Sequence, residues 1–157
     1  SLTMPVPPEI AAALLSWAAA FDNREVTRTA AIAWADALDD CVTPQDGKAA
    51  ITTHARTSSD YLKPLHVNTE VRRIRKERTD RIGLDEIPPA ALAEHPARAL
   101  TWTREYRRAI GDGEQPQAAE KRACDAVGVP VPLQVEGTHR MPDVGHLARH
   151  IPEGAGA

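Results

Sequence analysis

Apolar side chains recur at helical spacing near the start of the chain. Pro7 and Pro8 precede the acidic residue Glu9, which is typical of the first turn of a helix. The apolar positions that follow are separated by four, three and four residues and therefore share one side of a helix. We predict a first helix whose inward stripe is Ile10, Leu14, Trp17 and Phe21.

Threonines that can act as helix caps predict the starts of the next two helices. Thr27 or Thr29 caps the second helix. Thr43 caps the third, with Pro44 at its first position and Asp46 placed for a reciprocal capping contact. The predicted inward residues are Ile32, Ala35 and Leu38 in the second helix, and Ala50, Ile51, His54 and Ala55 in the third.

A fourth helix is predicted soon after Pro64. Val67, Val71, Ile74 and Arg78 recur at helical spacing and mark its inward side. Residues 5–82 contain no run of alternating β-branched residues that would favour a strand. We therefore predict an all-α fold, with a small bundle of about four helices as an α-helical domain over residues 5–82.

The second half of the chain differs in composition. Eight of the thirteen prolines and eight of the nine glycines follow residue 82, which approaches the composition of poorly ordered chains. We predict residues 83–157 to be a Pro/Gly-rich C-terminal tail, partly helical or disordered, with short helices at 97–110 and 117–127. Leu100, Tyr106 and Ile110 form the predicted apolar line of the first of these, and Trp102 lies off that line.

The number and distribution of charged residues limit the kinds of molecule that the chain can bind. Nineteen Lys and Arg residues against 22 Asp and Glu give a net charge of −3, so no overall positive field holds the chain on DNA. Positive charge is nevertheless concentrated in the Arg-rich helix predicted at 66–82. Its candidate contacts to nucleic acid or to an acidic partner are Arg72, Arg73, Arg75, Lys76 and Arg81.

Three interpretations of this helix stay open. It grips phosphates with little regard to base sequence, it docks on an acidic protein through its arginines, or it is a solvated face whose charges pair within the helix. Glu70, Glu77 and Asp80 are spaced for such pairing.

Catalytic and cofactor motifs are not found. The chain has no short signature of a nucleophilic triad, and its Gly-Asp-Gly at 111–113 lacks the residues that complete a phosphate-binding loop. Cys124, His139, His146 and His150 match no compact zinc spacing. We expect a protein that is not an enzyme and that holds no cofactor and no metal.

Targeting signals are also not found. No segment has the pattern of a signal peptide, and no run of about 18 apolar residues could span a bilayer. The two cysteines, Cys41 and Cys124, do not form the dense framework of a small secreted domain. We expect a protein of the bacterial host cytoplasm that does not bind a membrane.

The order of these features resembles the phage replicative helicase loader and inhibitor family over about residues 8–80. Leu14 and Leu15 lead to the aromatic Phe21, and Val26 and Thr27 precede a helix with Trp34 and Leu38. An acidic turn, a third helix and a proline-containing step into a basic fourth helix follow. The chain departs from the family in its long Pro-rich tail and at Leu62-Lys63-Pro64, where Pro-Pro-Thr is more usual.

The resemblance implies a division of labour. In that family a small α-helical N-terminal domain precedes a segment that contacts the replicative hexameric helicase, and the loader also meets an origin-bound initiator protein. By this resemblance, a DNA-replication accessory protein is expected, which loads or restrains the helicase; direct nonspecific DNA contact stays open. A tail poor in bulky apolar residues is suited to folding on a partner, and its candidate anchors are Trp102, Tyr106 and Arg107.

Two other functions remain as alternatives. The third and fourth helices could form a helix-turn-helix-like pair in a DNA-binding regulator that uses the Arg-rich helix. Residues 72–81 contain no Asn, Gln or Ser of the kind that reads bases, which disfavours this alternative. The other alternative is a phage structural or assembly protein, which would associate with itself.

Overall fold

The computed structural model describes residues 4–82 and 86–133. These residues form α1 (Pro8–Asp22), α2 (Arg28–Ala37), α3 (Pro44–Thr57), α4 (Pro64–Asp80), a short 3₁₀ turn (Ala90–Leu92), α5 (Pro96–Gly111) and α6 (Pro116–Val127). The described chain contains no strand. The predicted all-α fold class is therefore confirmed.

Two helices begin where their caps are predicted. The amide of Ala30 donates to the hydroxyl of Thr27 at 3.0 Å, and the amide of Asp46 donates to the hydroxyl of Thr43 at 3.1 Å. Thr27, and not Thr29, therefore caps α2. The reciprocal cap predicted for Asp46 is wrong, because the Asp46 carboxylate accepts hydrogen bonds from Arg78 instead.

The first core lies between α1, α2, α3 and α4. Its members are small and medium aliphatic side chains: Val6, Ala11, Leu14, Ala18, Ala35, Leu38, Val42, Ala50, Ile51, Leu62, Val67 and Val71. Gly47 gives α1 and α3 their close approach, since a Cβ there would lie 2.7 Å from the Leu14 side chain. Such close packing favours small residues on both helices.

Three bulky residues predicted to face this core point elsewhere. Trp17, Phe21 and Ile32 are 40%, 51% and 43% exposed. For Trp17 and Phe21 the prediction was wrong because α1 is apolar on more than one side, and the residues that it buries are Ala11, Leu14, Leu15 and Ala18. The close contact at Gly47 selects this alanine-rich side, so the aromatic stripe remains at the surface. On α2, the buried residues are Ala31 and Ala35 rather than Ile32.

The described part of the segment predicted as a tail has a core of its own. Leu92, Trp102, Tyr106, Ala109, Ile110, Ala119, Ala123 and Cys124 are buried together. Tyr106 and Ile110 are buried as predicted, but Leu100 is 51% exposed and Trp102, which was predicted to lie off the apolar line, is 1% exposed. The buried line is the one that faces the alanines of α6, which leave room for the indole.

Candidate functional site

The exposed face of α4 is charge-balanced. Arg72 binds Asp39 at 2.7 Å, and Lys76 binds Asp80 at 2.7 Å. The other two ion-paired bases on this face, Arg73 and Arg81, pair with Glu70 and Glu77. Four exposed bases thus lie among four carboxylates, and each base must exchange a carboxylate for a phosphate to bind DNA. Contact of this face with nucleic acid or an acidic partner stays a prediction.

The other two arginines of α4 join the first core to α5. Arg75 pairs with Asp112 at the end of α5. Arg78 donates to the Asp46 carboxylate at 2.7 and 2.8 Å and to the Gly111 carbonyl at 2.8 Å. The side chain of Asp46 is 4% exposed, so Arg78 neutralises a charge that is almost out of contact with water. We refer to Arg75, Arg78, Asp46 and Asp112 as the α4 clasp.

The carboxylate of Asp112 is shared between two helices. It also pairs with Arg122 of α6 at 2.7 Å. Burial alone would raise the pKa of Asp112, but the hydrogen bonds from Arg122 and Arg75 outweigh burial and lower it. Gly111 lies directly beneath Arg75, because a Cβ there would be 3.0 Å from the guanidinium. The clasp therefore depends on a residue without a side chain.

Two of the three predicted partner anchors lie in the second core. The rings of Trp102 and Tyr106 stack with centroids 5.0 Å apart, and the Trp102 indole donates to the sulfur of Cys124. Both side chains are almost fully buried. Arg107 is exposed and pairs with Glu86. Binding of a partner by these residues stays a prediction, but in this conformation only Arg107 offers an exposed side chain.

The exposed aromatic residues of the first helical unit lie along α1 and the connection from α3 to α4. Phe21 and Tyr61 line a cleft of about 340 Å³, and Trp17 packs edge-on against Phe21. We call this cleft the α1–α3 groove. It is lined by Ala18, Phe21, Asp22, Ile51, His54, Ala55, Ser58, Ser59, Asp60, Tyr61 and Leu62. Sequence reasoning placed Phe21 inside the core and therefore missed this surface.

One arginine holds the end of the groove in place. The guanidinium of Arg24 lies between the rings of Trp34 and Tyr61, 5.3 and 4.3 Å from their centroids. It also donates to the carbonyl of Leu62 at 2.9 Å. The side chain is 5% exposed, so this contact joins the α1–α2 turn to the connection after α3 rather than presenting a charge.

Two histidines fix the same connection. The ring of His54 stacks on that of His66 with centroids 4.5 Å apart. His54 Nε2 lies 2.7 Å from the carbonyl of Asp60, so this nitrogen carries the hydrogen. His66 Nδ1 accepts the amide hydrogen of Lys63 at the start of α4. Both rings therefore hold the backbone of this connection, and His66 closes the first turn of α4.

The described residues offer no cluster of side chains typical of a metal site. Residues 4–82 and 86–133 contain no group of three or more His, Cys, Asp or Glu that could hold a metal ion. His139, His146 and His150 lie outside the described residues. Burial raises the pKa of the Cys41 thiol, which opposes formation of a nucleophilic thiolate.

No helix among the described residues is long and apolar enough to cross a bilayer.

Comparisons with known proteins give no relative. The chain matches no protein-family model, no curated protein and no solved structure.

Proposed function

We propose that the protein is a phage or prophage DNA-replication accessory protein that binds a replicative hexameric helicase and loads or restrains it. The observation that carries the proposal is the α1–α3 groove. It exposes the aromatic side chains of Phe21 and Tyr61 beside a cleft, and contiguous apolar surface of this kind is typical of protein interfaces. The helicase as partner, and the initiator as second partner, come from the family resemblance of residues 8–80.

The charge balance of α4 supports a protein partner over a DNA site. The exposed bases Arg72 and Arg73 are both engaged by carboxylates. Bound phosphate would have to displace these carboxylates, and the chain as a whole carries net negative charge. A protein interface needs no such displacement, because apolar side chains supply its central contacts.

The direct test uses the full-length chain and purified hexameric helicases from a panel of GC-rich bacteria, because 15 of the 19 basic residues are Arg, a usage typical of GC-rich genes. Binding is measured by biolayer interferometry for the unaltered chain and for Phe21→Ala. Leu100→Ala is the matched control, since Phe21 and Leu100 are each 51% exposed and lie on different helices. We expect at least one helicase to bind, with affinity reduced about tenfold by Phe21→Ala and unchanged by Leu100→Ala.

The DNA-binding alternative is tested with the same proteins. Arg72→Gln and Arg73→Gln are titrated with duplex DNA at several salt concentrations and then with the helicase. We expect helicase binding to be unaffected by these substitutions. The proposal fails if no helicase of the panel binds, or if the chain leaves a site-specific footprint on duplex DNA. Helicase unwinding assays with and without the chain then distinguish loading from restraint.

A further inference from the structure

The α1–α3 groove has a definite polarity, because α1 and α3 run parallel. The Leu14 side chain faces Gly47. About one turn further along both helices, the Trp17 indole donates to the Thr52 hydroxyl at 3.0 Å. The contacts thus advance in the same direction on the two helices, and the groove lies at their C-terminal ends.

Two helix C-termini lie side by side at this end of the molecule, and the last turn of α3 also carries His54 and Arg56. The carbonyl groups of a final helical turn carry partial negative charge. Asp22 and Asp60 add carboxylates to the rim of the same groove. The hydrogen bonds from Arg24 lower the pKa of Asp22, so this carboxylate is ionised at neutral pH.

The two rim carboxylates differ in their partners. Asp22 is neutralised by Arg24, whose side chain is largely buried. Asp60 uses its backbone carbonyl and amide for hydrogen bonds with His54 and Ser58, and within the described residues no ion pair engages its carboxylate. The groove therefore has an apolar floor and, at its rim, one carboxylate that no described ion pair engages, that of Asp60.

The wall of the groove favours a helix as the bound segment. The described residues contain no strand, so they offer no sheet edge on which an extended peptide could add. Ala18, Ile51 and Ala55 instead form a shallow floor between two parallel helices. A third helix can lay its apolar ridge into such a groove.

We propose that the α1–α3 groove binds an amphipathic helix of a partner protein that carries Lys or Arg beside its apolar face. The apolar residues cover Phe21 and the floor, and the basic residue pairs with Asp60 at the rim. This inference rests on the proposed function, since it defines the kind of segment through which a protein partner binds. It is tested independently of the helicase.

The test titrates the full-length chain into fluorescein-labelled synthetic peptides and follows fluorescence anisotropy. The first peptide is a Leu/Lys amphipathic helix of about five turns. The second is its isomer with Glu in place of Lys, and the third has the composition of the first in an order that destroys the apolar stripe. We expect the first peptide to bind at least about tenfold more tightly than the other two.

Variants of the chain locate the binding. Phe21→Ala should weaken binding of the Leu/Lys peptide about tenfold, as expected for loss of a central aromatic contact. Asp60→Asn should weaken it about threefold at low salt and less at high salt, because exposed charges are screened. Leu100→Ala and Asp36→Asn are the matched controls, because both residues are exposed and neither lines the groove. The controls should bind like the unaltered chain.

Each contrary outcome overturns the inference. Equal binding of the Glu isomer would exclude a preference of the groove for basic partners. Equal binding of the third peptide, whose order destroys the apolar stripe, would exclude recognition of an amphipathic helix. A Phe21→Ala chain that binds the Leu/Lys peptide with unaltered affinity would place the contact elsewhere. If the peptides behave as expected and no helicase binds, the helicase proposal fails while the groove retains its assigned ligand class.

Discussion

The core of α1–α4 and the core of α5–α6 bury apolar surface with different side chains. The first has no large aromatic residue among its fully buried members and depends on residues such as Leu14, Ile51 and Val67. The second is centred on the stacked pair Trp102 and Tyr106. Deletion of one aliphatic side chain should therefore destabilise the first core only moderately, whereas deletion of the Trp102 indole should remove the centre of the second core.

Trp102→Ala is the change with the largest expected effect. Deletion of a buried indole leaves a large cavity and lowers the free energy of unfolding by about 3 to 5 kcal/mol. Urea denaturation measures this loss, and hydrogen exchange locates it. Amides of α6 should lose protection while those of α1 and α3 keep theirs. Uniform loss of protection along the chain would contradict this prediction and would show that the two cores unfold together.

Arg78→Met tests how the two cores are joined. The substitution leaves the buried Asp46 carboxylate without its guanidinium, which should lower the free energy of unfolding by about 3 kcal/mol. The double variant Asp46→Leu with Arg78→Met removes both charges and should recover most of that loss. Urea denaturation of the three chains measures the coupling. Equal destabilisation of the single and double variants would show that the carboxylate does not require neutralisation.

The acid side of the stability profile should depend on Asp112. Its pKa is lowered in the folded chain, so the unfolded chain binds more protons as pH falls. The stabilisation is present above the ordinary value of 3.8 and is lost as pH falls through the folded-state value. Asp112→Asn should lower the free energy of unfolding by about 1 kcal/mol at neutral pH and flatten this acid decline. The check is a series of denaturation experiments between neutral and acidic pH. If the free energy of unfolding of Asp112→Asn falls as steeply with pH as that of the unaltered chain, Asp112 is not the source of the acid decline.

Thr27→Ala has the smallest expected effect and acts on the first core alone. Loss of the cap on α2 lowers the free energy of unfolding by about 1 kcal/mol. Thr29→Ala is the matched control, because Thr29 is exposed and provides no cap, and its effect should stay within about 0.5 kcal/mol. Thermal unfolding followed by circular dichroism compares the two. Similar losses in both variants would contradict the assigned cap.

Local features of the fold could be predicted from the sequence, and contacts between distant residues could not. The caps at Thr27 and Thr43 depend on amides only three residues away, so their pattern is visible in the sequence. The hydrogen-bonded ion pair between Asp46 and Arg78 joins residues that are 32 positions apart, and no local pattern in the sequence predicts it. The capping role predicted for Asp46 was wrong for this reason.

The same limit applies to the faces of α1 and α5. The sequence of α1 contains few polar residues, which indicates that the helix has two apolar sides. The end of one of these sides forms a wall of the α1–α3 groove. Periodicity alone does not choose between them, because the choice depends on the close approach of α3. The high proline and glycine content around α5 predicted poor order, and it gave no indication of a core centred on the buried indole of Trp102.

The contact between Gly47 and Leu14 has a consequence for the shape of the α1–α3 groove. Gly47 lies near the start of α3, one helical turn before Ile51, which is the first α3 residue to line the groove. A methyl group at position 47 would lie 2.7 Å from the end of the fully buried Leu14 side chain, so either that side chain or the spacing of α1 and α3 would have to change. The spacing of α1 and α3 beside the groove thus depends on Gly47, a residue that does not itself line the groove.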